Sequence, residues 1–161
     1  MCLSWLLDLF LGTEEDDAYD EKSSRKSKNE ENVYKLKKSI MSNCESTFFK
    51  VIYKHFEKDY LVISQVPLAS IIEKKKEFSS QYQNELNRII DFGIFDKETF
   101  KPLLLIEIND NTHNEKSRQA RDIKVKNICS SVNLNLITFY TNYPNKENYI
   151  IDRISKELKK D

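Results

Sequence analysis

Two short apolar runs in the middle of the chain each carry a carboxylate where a strand interior favours an apolar side chain. The first run is IIDFGIF (89–95), which contains Asp91, and the second is LLLIEI (103–108), which contains Glu107. The segment between them, 96–102, holds Asp and Pro, which are typical of turns. Runs of this kind on either side of a turn indicate an antiparallel hairpin. This hairpin is the feature that most limits how the chain can fold.

The length of the turn decides whether the two carboxylates meet. With a loop over 96–102, Phe95 lies opposite Leu103 and the same register places Asp91 directly opposite Glu107. Like charges that face each other across a ladder destabilise it. This register therefore predicts that a cation, most simply a divalent metal ion, lies between the two carboxylates.

A shorter turn remains an alternative. A tight turn at 97–98 pairs Asp91 with Leu104 and sends the two carboxylates to opposite faces of the sheet. The sequence favours the longer loop and leaves the shorter one open.

The rest of the chain predicts helices and strands on both sides of the hairpin. Before it we expect a helix from the Ser42-x-x-Glu45 capping box to Glu57, a strand over 60–66, a short helix over 68–78 and a loop over 79–87. After it we expect a helix over 115–131 that buries Ala120, Ile123 and Ile128, a strand over 134–140 and a helix over 147–160. A hairpin, a helix and a further strand imply a mixed sheet whose last strand is reached by a crossover. We therefore predict an α/β fold with helices on the faces of the sheet.

The N-terminal fifth of the chain differs in composition from the rest. We divide the chain into a short apolar segment (1–12), a disordered charged linker (13–32) and an α/β domain (33–161). The apolar segment is shorter than the ~20 residues that span a bilayer, and it lacks the features of a secretory signal. It is typical of a short helix that docks on the domain or on a protein partner. Weak contact with a membrane surface is the alternative.

Charge and cysteine content limit the partners and the compartment. The chain has 26 basic and 26 acidic residues, so affinity for nucleic acid must come from a local patch. The most basic predicted element is the helix over 115–131, with Lys116, Arg118, Arg121, Lys124 and Lys126. Three cysteines without CxxC spacing indicate reduced thiols and a cytoplasmic protein. The oligomeric state stays open.

The candidate site lies at the end of the hairpin and just beyond it. Asp91, Glu107, Asn109, Asp110 and His113 fall in one short span, and Glu107 and Asn109 point to the same face of their strand. Carboxylate and carbonyl oxygens are the ligands that Mg²⁺ prefers. Each residue alone has an ordinary structural explanation as a strand start, a turn or a cap. Two carboxylates inside apolar strands are harder to explain by stability, because unpaired buried charge is costly.

Three segments resemble a known family: IIDFGIFD, KPLLLIEINDNTH and RQARDIKVKNICSSVNLNLITF. They resemble the bacterial domain-of-unknown-function family 2726, whose pattern is an acidic DF strand, an E-x-[DN]-D-x-x-H strand end, an RD helix and a further strand. That family is similar to the restriction-endonuclease-like PD-(D/E)XK nucleases, in the branch of the very-short-patch-repair endonucleases. The resemblance covers roughly 42–140. It implies a restriction-endonuclease-like core.

The resemblance also implies roles for individual residues. It assigns the metal, Mg²⁺ or Mn²⁺, to Asp91 and Glu107 and proton transfer or phosphate binding to His113. Asn109 stands where the superfamily has a Lys, and Lys124 or Lys126 from the following helix are candidates to replace that Lys. Further candidates are Glu45, as a catalytic or site-adjacent acid, Gln65 and Asp110 beside the site, and Lys116, Arg118 and Arg121 as phosphate contacts.

Two functions are compatible with these residues. The first is a Mg²⁺-dependent nuclease that hydrolyses phosphodiester bonds, in DNA in preference to RNA. The second is a module that keeps the nuclease-like fold without turnover and binds nucleic acid or protein. The second is favoured by the neutral net charge and by Asn109, which cannot act as a base or supply positive charge.

Overall fold

A computed structural model describes residues 34–75, 85–109 and 116–159, with the backbone alone for 116–118. The chain divides into two units, 1–36 and 37–161, and all the described elements belong to the second. These elements are α1 (Asn43–Phe56), β1 (Tyr60–Pro67), β2 (Ile89–Asp96), β3 (Pro102–Asn109), α2 (Lys116–Ser131), β4 (Asn135–Tyr140) and α3 (Glu147–Leu158). The predicted segments 1–12 and 13–32 lie outside the described residues.

The four strands form one mixed sheet in the order β1-β2-β3-β4. The two pairings β1–β2 and β2–β3 are antiparallel, and β4 runs parallel to β3. Parallel neighbours require a crossover, and α2 supplies it. The predicted mixed α/β architecture is confirmed.

Helix α1 begins where the capping box predicts. Ser42 Oγ accepts a hydrogen bond from Glu45 N at 3.2 Å, and Glu45 Oε2 accepts one from Ser42 N at 2.6 Å. Both bonds satisfy backbone donors that the first helical turn leaves without partners. The helix buries Phe48, Ile52 and Phe56.

Two apolar clusters lie on opposite faces of the sheet. The larger contains side chains of α1 and α3 with Phe92, Leu104 and Ile106 of the hairpin. The smaller contains Ile90 and Leu105 with Val125 and Cys129 of α2. Glu107 and Asn109 follow Leu105 at a spacing of two, so they belong to the face that α2 covers. None of the helices within the described ranges has the length and apolar character needed to span a membrane.

The predicted buried stripe of α2 is wrong. The prediction named Ala120, Ile123 and Ile128. In the structure Ala120 is exposed, Ile123 is 59% exposed and Ile128 is half-buried, whereas Val125 and Cys129 are buried. The helix is rotated because half-buried Asp122 faces the sheet, where it contacts Arg88 and Asn109. A polar contact that apolar periodicity does not register sets the orientation of this helix.

The predicted helix over 68–78 is also wrong over the residues that the structure describes. Only Leu68–Ser70 form a 3₁₀ turn, and 71–75 are not helical. Leu68 N donates to Arg88 O at 2.8 Å, which ties the end of β1 to the residue before β2. Residues 76–78 lie outside the described residues.

The hairpin register is confirmed over its central pairs. Phe92, Gly93 and Ile94 pair with Ile106, Leu105 and Leu104, as the longer loop predicts, and the tight turn at 97–98 is wrong. The end of the prediction needs correction, because a bulge after Ile94 pairs Phe95 with Pro102 and not with Leu103. Asp96 shortens the turn: its N–H donates to Lys101 O at 2.9 Å, and its carbonyl accepts from Phe100 N at 3.0 Å.

Gly93 provides a test of how tightly the hairpin packs. A Cβ at this position would lie 2.5 Å from Phe95 Cε2 and 3.2 Å from Val66 Cγ2. Because the Phe95 ring is buried, we expect Gly93→Ala to lower the free energy of unfolding by about 1–3 kcal/mol. The measurement is urea denaturation.

The matched control is the double variant Gly93→Ala/Phe95→Leu, in which the smaller side chain vacates the contact. We expect its loss to be smaller than the sum of the two single losses, which indicates direct coupling. Strictly additive losses would contradict the steric explanation.

Candidate active site at the open end of the hairpin

The ladder between β2 and β3 opens at Asp91. Backbone pairing ends at Phe92 and Ile106, one pair before Asp91 and Glu107 would face each other. Asp91 Oδ2 instead accepts a hydrogen bond from Ile108 N at 2.7 Å. The carboxylate takes the place of a main-chain acceptor at the point where the strands separate.

Strands β1 and β2 are both irregular at the level of Asp91. Ile90 and Phe92 pack in opposite apolar clusters, so β2 changes face at Asp91. In β1 the register passes from Ser64 to Val66 without pairing Gln65, which has φ 57° and lies at the level of Asp91. Non-glycine residues with such φ values are uncommon and cluster at functional sites. This supports the placement of Gln65 beside the site.

Glu107 lies at the centre of a charged network that joins β3 to α2. The residue is only 9% exposed, and its Oε1 lies 3.9 Å from Arg88 Nη2. The same guanidinium nitrogen lies 3.6 Å from Asp122 Oδ1. Asn109 Nδ2 donates to Asp122 Oδ2 at 3.2 Å. The network thus orients Asn109 and places a cation against Glu107.

Arg88 and Asp122 are the site residues that sequence reasoning missed. Arg88 immediately precedes β2, and Asp122 lies within α2. A lone Arg before a strand and a lone Asp in a helix carry no distinctive signal. Only the folded chain brings both beside Glu107.

Burial raises the pKa of both strand acids. The pKa of Asp91 is raised to about 6, chiefly by desolvation, and the nearby Glu45 adds to the shift. The hydrogen bond from Ile108 N and the charge of Arg88 act in the opposite direction. The pKa of Glu107 is also raised by desolvation, with Asp122 and Asp91 adding to the shift and Arg88 and Lys126 opposing it.

Glu45 has two roles in the structure. One is the capping box of α1. The second is an interaction with Asp91, since a side-chain hydrogen bond and the charge of Glu45 both raise the pKa of Asp91. The structure therefore brings this first-helix acid together with Asp91.

The basic candidates of α2 separate into different environments. Lys124 forms an ion pair with Glu85, whereas Lys126 is exposed and its charge acts on Glu107. Arg121, Arg88, Asn109 and Asp122 line a cleft of about 280 Å³ beside the acids. Asp110 and His113 lie outside the described residues. Lys116 and Arg118 are in α2, and their side chains lie outside the described part of the chain.

The donor set suits a hard cation with few protein ligands. Within the described ranges, no group of three or more His, Cys, Asp or Glu side chains is arranged to hold a metal ion. Mg²⁺ commonly uses one or two carboxylates and completes its octahedron with water and substrate phosphate. Asp91, Glu107 and the side-chain oxygen of Asn109 offer oxygen donors only. Four carboxylates (Glu45, Asp91, Glu107 and Asp122) against Arg88 and Lys126 leave this part of the site acidic.

Comparison with known proteins identifies one family. The family described as Protein of unknown function (DUF2726) matches residues 37–158. This match spans the sheet, the three described α-helices and all the described site residues. Searches of curated proteins and of solved structures gave no match.

The raised pKa of Asp91 predicts a variant that is more stable than the natural chain. The folded pKa of about 6 exceeds the ordinary value of 3.8, so the folded state binds the proton more tightly. Stability then decreases as the pH rises from about 4 to about 6, and the full penalty is present above that range. We expect Asp91→Asn to raise the free energy of unfolding by about 1–2 kcal/mol at about pH 7.5, after allowance for solvent screening of this half-buried group.

The measurement is urea denaturation at about pH 7.5 and at about pH 4, where the difference should shrink because the natural side chain is then mostly protonated. Asn retains an oxygen that can accept from Ile108 N. The control is Asp152→Asn, an exposed acid of α3, which should change stability little at either pH. A loss of stability in Asp91→Asn that is larger at the higher pH would refute this account.

Proposed function

This chain belongs to the DUF2726 family, and we propose that it is a metal-dependent nuclease that hydrolyses phosphodiester bonds in DNA. The observation that carries the proposal is the pair of desolvated acids, Asp91 and Glu107, at the open end of the β2–β3 hairpin. A restriction-endonuclease-like relationship and a cytoplasmic location form part of the same proposal.

The cost of these acids supports a functional reason for them. Burial raises the pKa of both groups, which means that their charged forms are disfavoured in the fold. Groups with such shifts concentrate at functional sites, where affinity for a ligand compensates for the loss of stability. A divalent cation relieves the repulsion among neighbouring carboxylates, so the feature that is unfavourable in the free protein favours metal binding.

In the proposed site Asp91 and Glu107 hold Mg²⁺ or Mn²⁺, and the side-chain oxygen of Asn109 is a further donor. When bound, such an ion lowers the pKa of a coordinated water and stabilises the oxygens of an in-line displacement at phosphorus. The amide of Asn109 is held by Asp122 through its nitrogen, which leaves its oxygen side for a ligand.

The chain supplies its own positive charge next to these acids. Arg88 lies 3.9 Å from Glu107 and is a stronger candidate than a lysine of α2 for the charge that Asn109 does not provide. Lys126 acts on Glu107 at longer range, while the ion pair with Glu85 directs Lys124 elsewhere. Arg88 and Arg121 line the cleft beside Asn109, so both are placed to contact a phosphate, a role that carries no sequence information. In the proposed nuclease, His113 assists proton transfer.

The second candidate is a binding module without turnover. It is favoured by one specific feature: the charge of Arg88 already compensates Glu107 within the protein. As a binding module, the protein binds phosphate in the same cleft through Arg88 and Arg121 and needs no metal. The two candidates differ in their dependence on divalent cations.

Cleavage of DNA tests the proposal. Supercoiled plasmid and single-stranded DNA are incubated with the full chain in Mg²⁺, Mn²⁺ or a chelator, and products are separated on gels. We expect cleavage with either metal, none with the chelator, and a loss of at least about 100-fold in Asp91→Asn and in Glu107→Gln, as for removal of one major catalytic group. Isothermal titration with Mn²⁺ alone should show weakened metal binding in the same variants.

The matched control is Glu98→Gln, which neutralises an exposed acid in the turn of the same hairpin and should cleave normally. Equal nicking by the natural chain and by Asp91→Asn/Glu107→Gln would indicate a contaminant and would sink the proposal. Binding of DNA without cleavage, unchanged by chelator, would favour the binding module.

A further inference from the structure

A second cleft lies at the C-terminal end of β4, on the turn that leads to α3. It has a volume of about 350 Å³ and is lined by Tyr140, Tyr143, Pro144, Asn145, Tyr149 and Arg153. Tyr143 and Tyr149 are exposed to 62% and 49%. Three tyrosines gather around one open cleft, whereas most phenylalanines in the described ranges pack in the core, and neither the fold nor the acid site accounts for these tyrosines.

Hydrogen bonds and ring contacts stabilise the shape of the cleft. Asn145 Nδ2 donates to Tyr140 O at 2.8 Å and to Tyr143 O at 2.9 Å, which holds the turn in one shape. The Tyr140 and Tyr143 rings lie 6.4 Å apart at 73°. Tyr149 meets Phe139 edge to face at 6.1 Å. A cleft that is formed before a ligand arrives loses less conformational entropy on binding.

Arg153 adds a cation to this aromatic wall. Its Nη1 donates to Thr138 O at 3.0 Å and lies 3.5 Å from the Tyr149 hydroxyl. The guanidinium lies 4.8 Å from the centre of the Phe139 ring. Flat aromatic and guanidinium surfaces are the groups on which unpaired bases stack, and such stacking tolerates any base because each has a π-face.

The sheet register places this cleft next to the candidate active site. Asn109 pairs with Tyr140, and Glu107 pairs with Thr138 two residues earlier. Paired residues on parallel strands point to the same face, so Tyr140 shares the face of Glu107 and Asn109. Tyr149 and Arg153 come from α3, which packs on the opposite face, so the cleft lies around the edge strand β4 and only its Tyr140 wall is on the side of the acids. With ~4.8 Å between strands and ~3.3 Å per residue, the Cα of Tyr140 lies on the order of 8 Å from that of Glu107. A base next to a phosphate held at the acids can reach this distance.

We propose that the tyrosine cleft binds an unpaired base of the DNA strand whose phosphate lies at the acid site. This inference rests on the proposed nuclease function and adds a specificity to it: the cleft selects single-stranded or locally opened DNA over duplex DNA. A paired base presents its edges but not its faces, so it cannot enter between the rings.

The test compares binding of two oligonucleotides of equal length by fluorescence anisotropy, in chelator so that nothing is cleaved. One is single-stranded DNA, and the other has the same sugar-phosphate chain without bases. We expect Tyr143→Leu to bind the first about tenfold more weakly, the loss of one stacking contact, and to bind the second as the natural chain does. Tyr143→Phe keeps the ring and should retain full affinity.

Phe100→Leu is the matched control. Phe100 is a 66% exposed aromatic residue in the hairpin turn, at the opposite end of β3 from Asn109, and its loss should not affect either oligonucleotide. Both exposed positions are expected to tolerate substitution, and a thermal melt verifies the fold of each variant.

Equal affinity of Tyr143→Leu and the natural chain for single-stranded DNA would overturn the inference, even if acid-dependent cleavage is intact. Equal loss on both oligonucleotides, or Tyr143-dependent binding of a proline-rich peptide in place of DNA, would overturn it as well. If binding of single-stranded DNA depends on Tyr143 but the protein cleaves no DNA, base binding in the cleft is supported and the nuclease function is rejected. The two proposals can therefore fail independently.

Discussion

The hydrogen bond from the Ile108 amide to the Asp91 carboxylate is the interaction on which the arrangement of the site depends. It occurs where the β2–β3 ladder ends and satisfies an amide that would otherwise face the opening. It also holds Asp91 where Glu45 raises its pKa and where its own charge raises the pKa of Glu107. One side chain thus ends the pairing of two strands and positions the acid in the resulting gap.

The charges around this gap are only partly balanced. Arg88 lies against Glu107 and Asp122, whereas burial and the charge of Glu45 raise the pKa of Asp91 to about 6, against the opposing charge of Arg88. A chain selected for stability alone would gain from replacing such an acid. The unbalanced charge supports the proposal of a cation site. The tyrosine cleft, which begins at Tyr140, two residues beyond the partner of Glu107 on β4, supports the proposal of a nucleic-acid strand as the substrate. The proposed cation site and the proposed base-binding cleft would both lie at the C-terminal ends of β3 and β4.

Much of the fold could be predicted because its signals are local. The capping box located the start of α1, and two apolar runs on either side of a turn located the hairpin and its central register. The errors arose where a distant contact decides. Only Leu68–Ser70 of the helix expected over 68–78 form a turn, at the point where Leu68 is bonded to Arg88, and the contacts of Asp122 accompany the rotation of α2 away from its apolar pattern. The same difference applies to the candidate site. Its acids can be recognised in the sequence because they interrupt apolar runs, whereas Arg88 and the tyrosine cleft give no such signal.

The sequence by itself determined which residues are acids inside strands, because a charge in an apolar run stands out against the period of a strand. It also determined the mixed order of the elements, since a hairpin followed by a helix and a strand permits few other arrangements. Only the tertiary structure decided what surrounds those acids. Arg88 and Asp122 are 34 residues apart in the chain and meet only when α2 packs on the sheet. Asp91 and Glu107 were expected to face each other across a closed ladder, and the folded chain instead opens the ladder and places a backbone amide on Asp91.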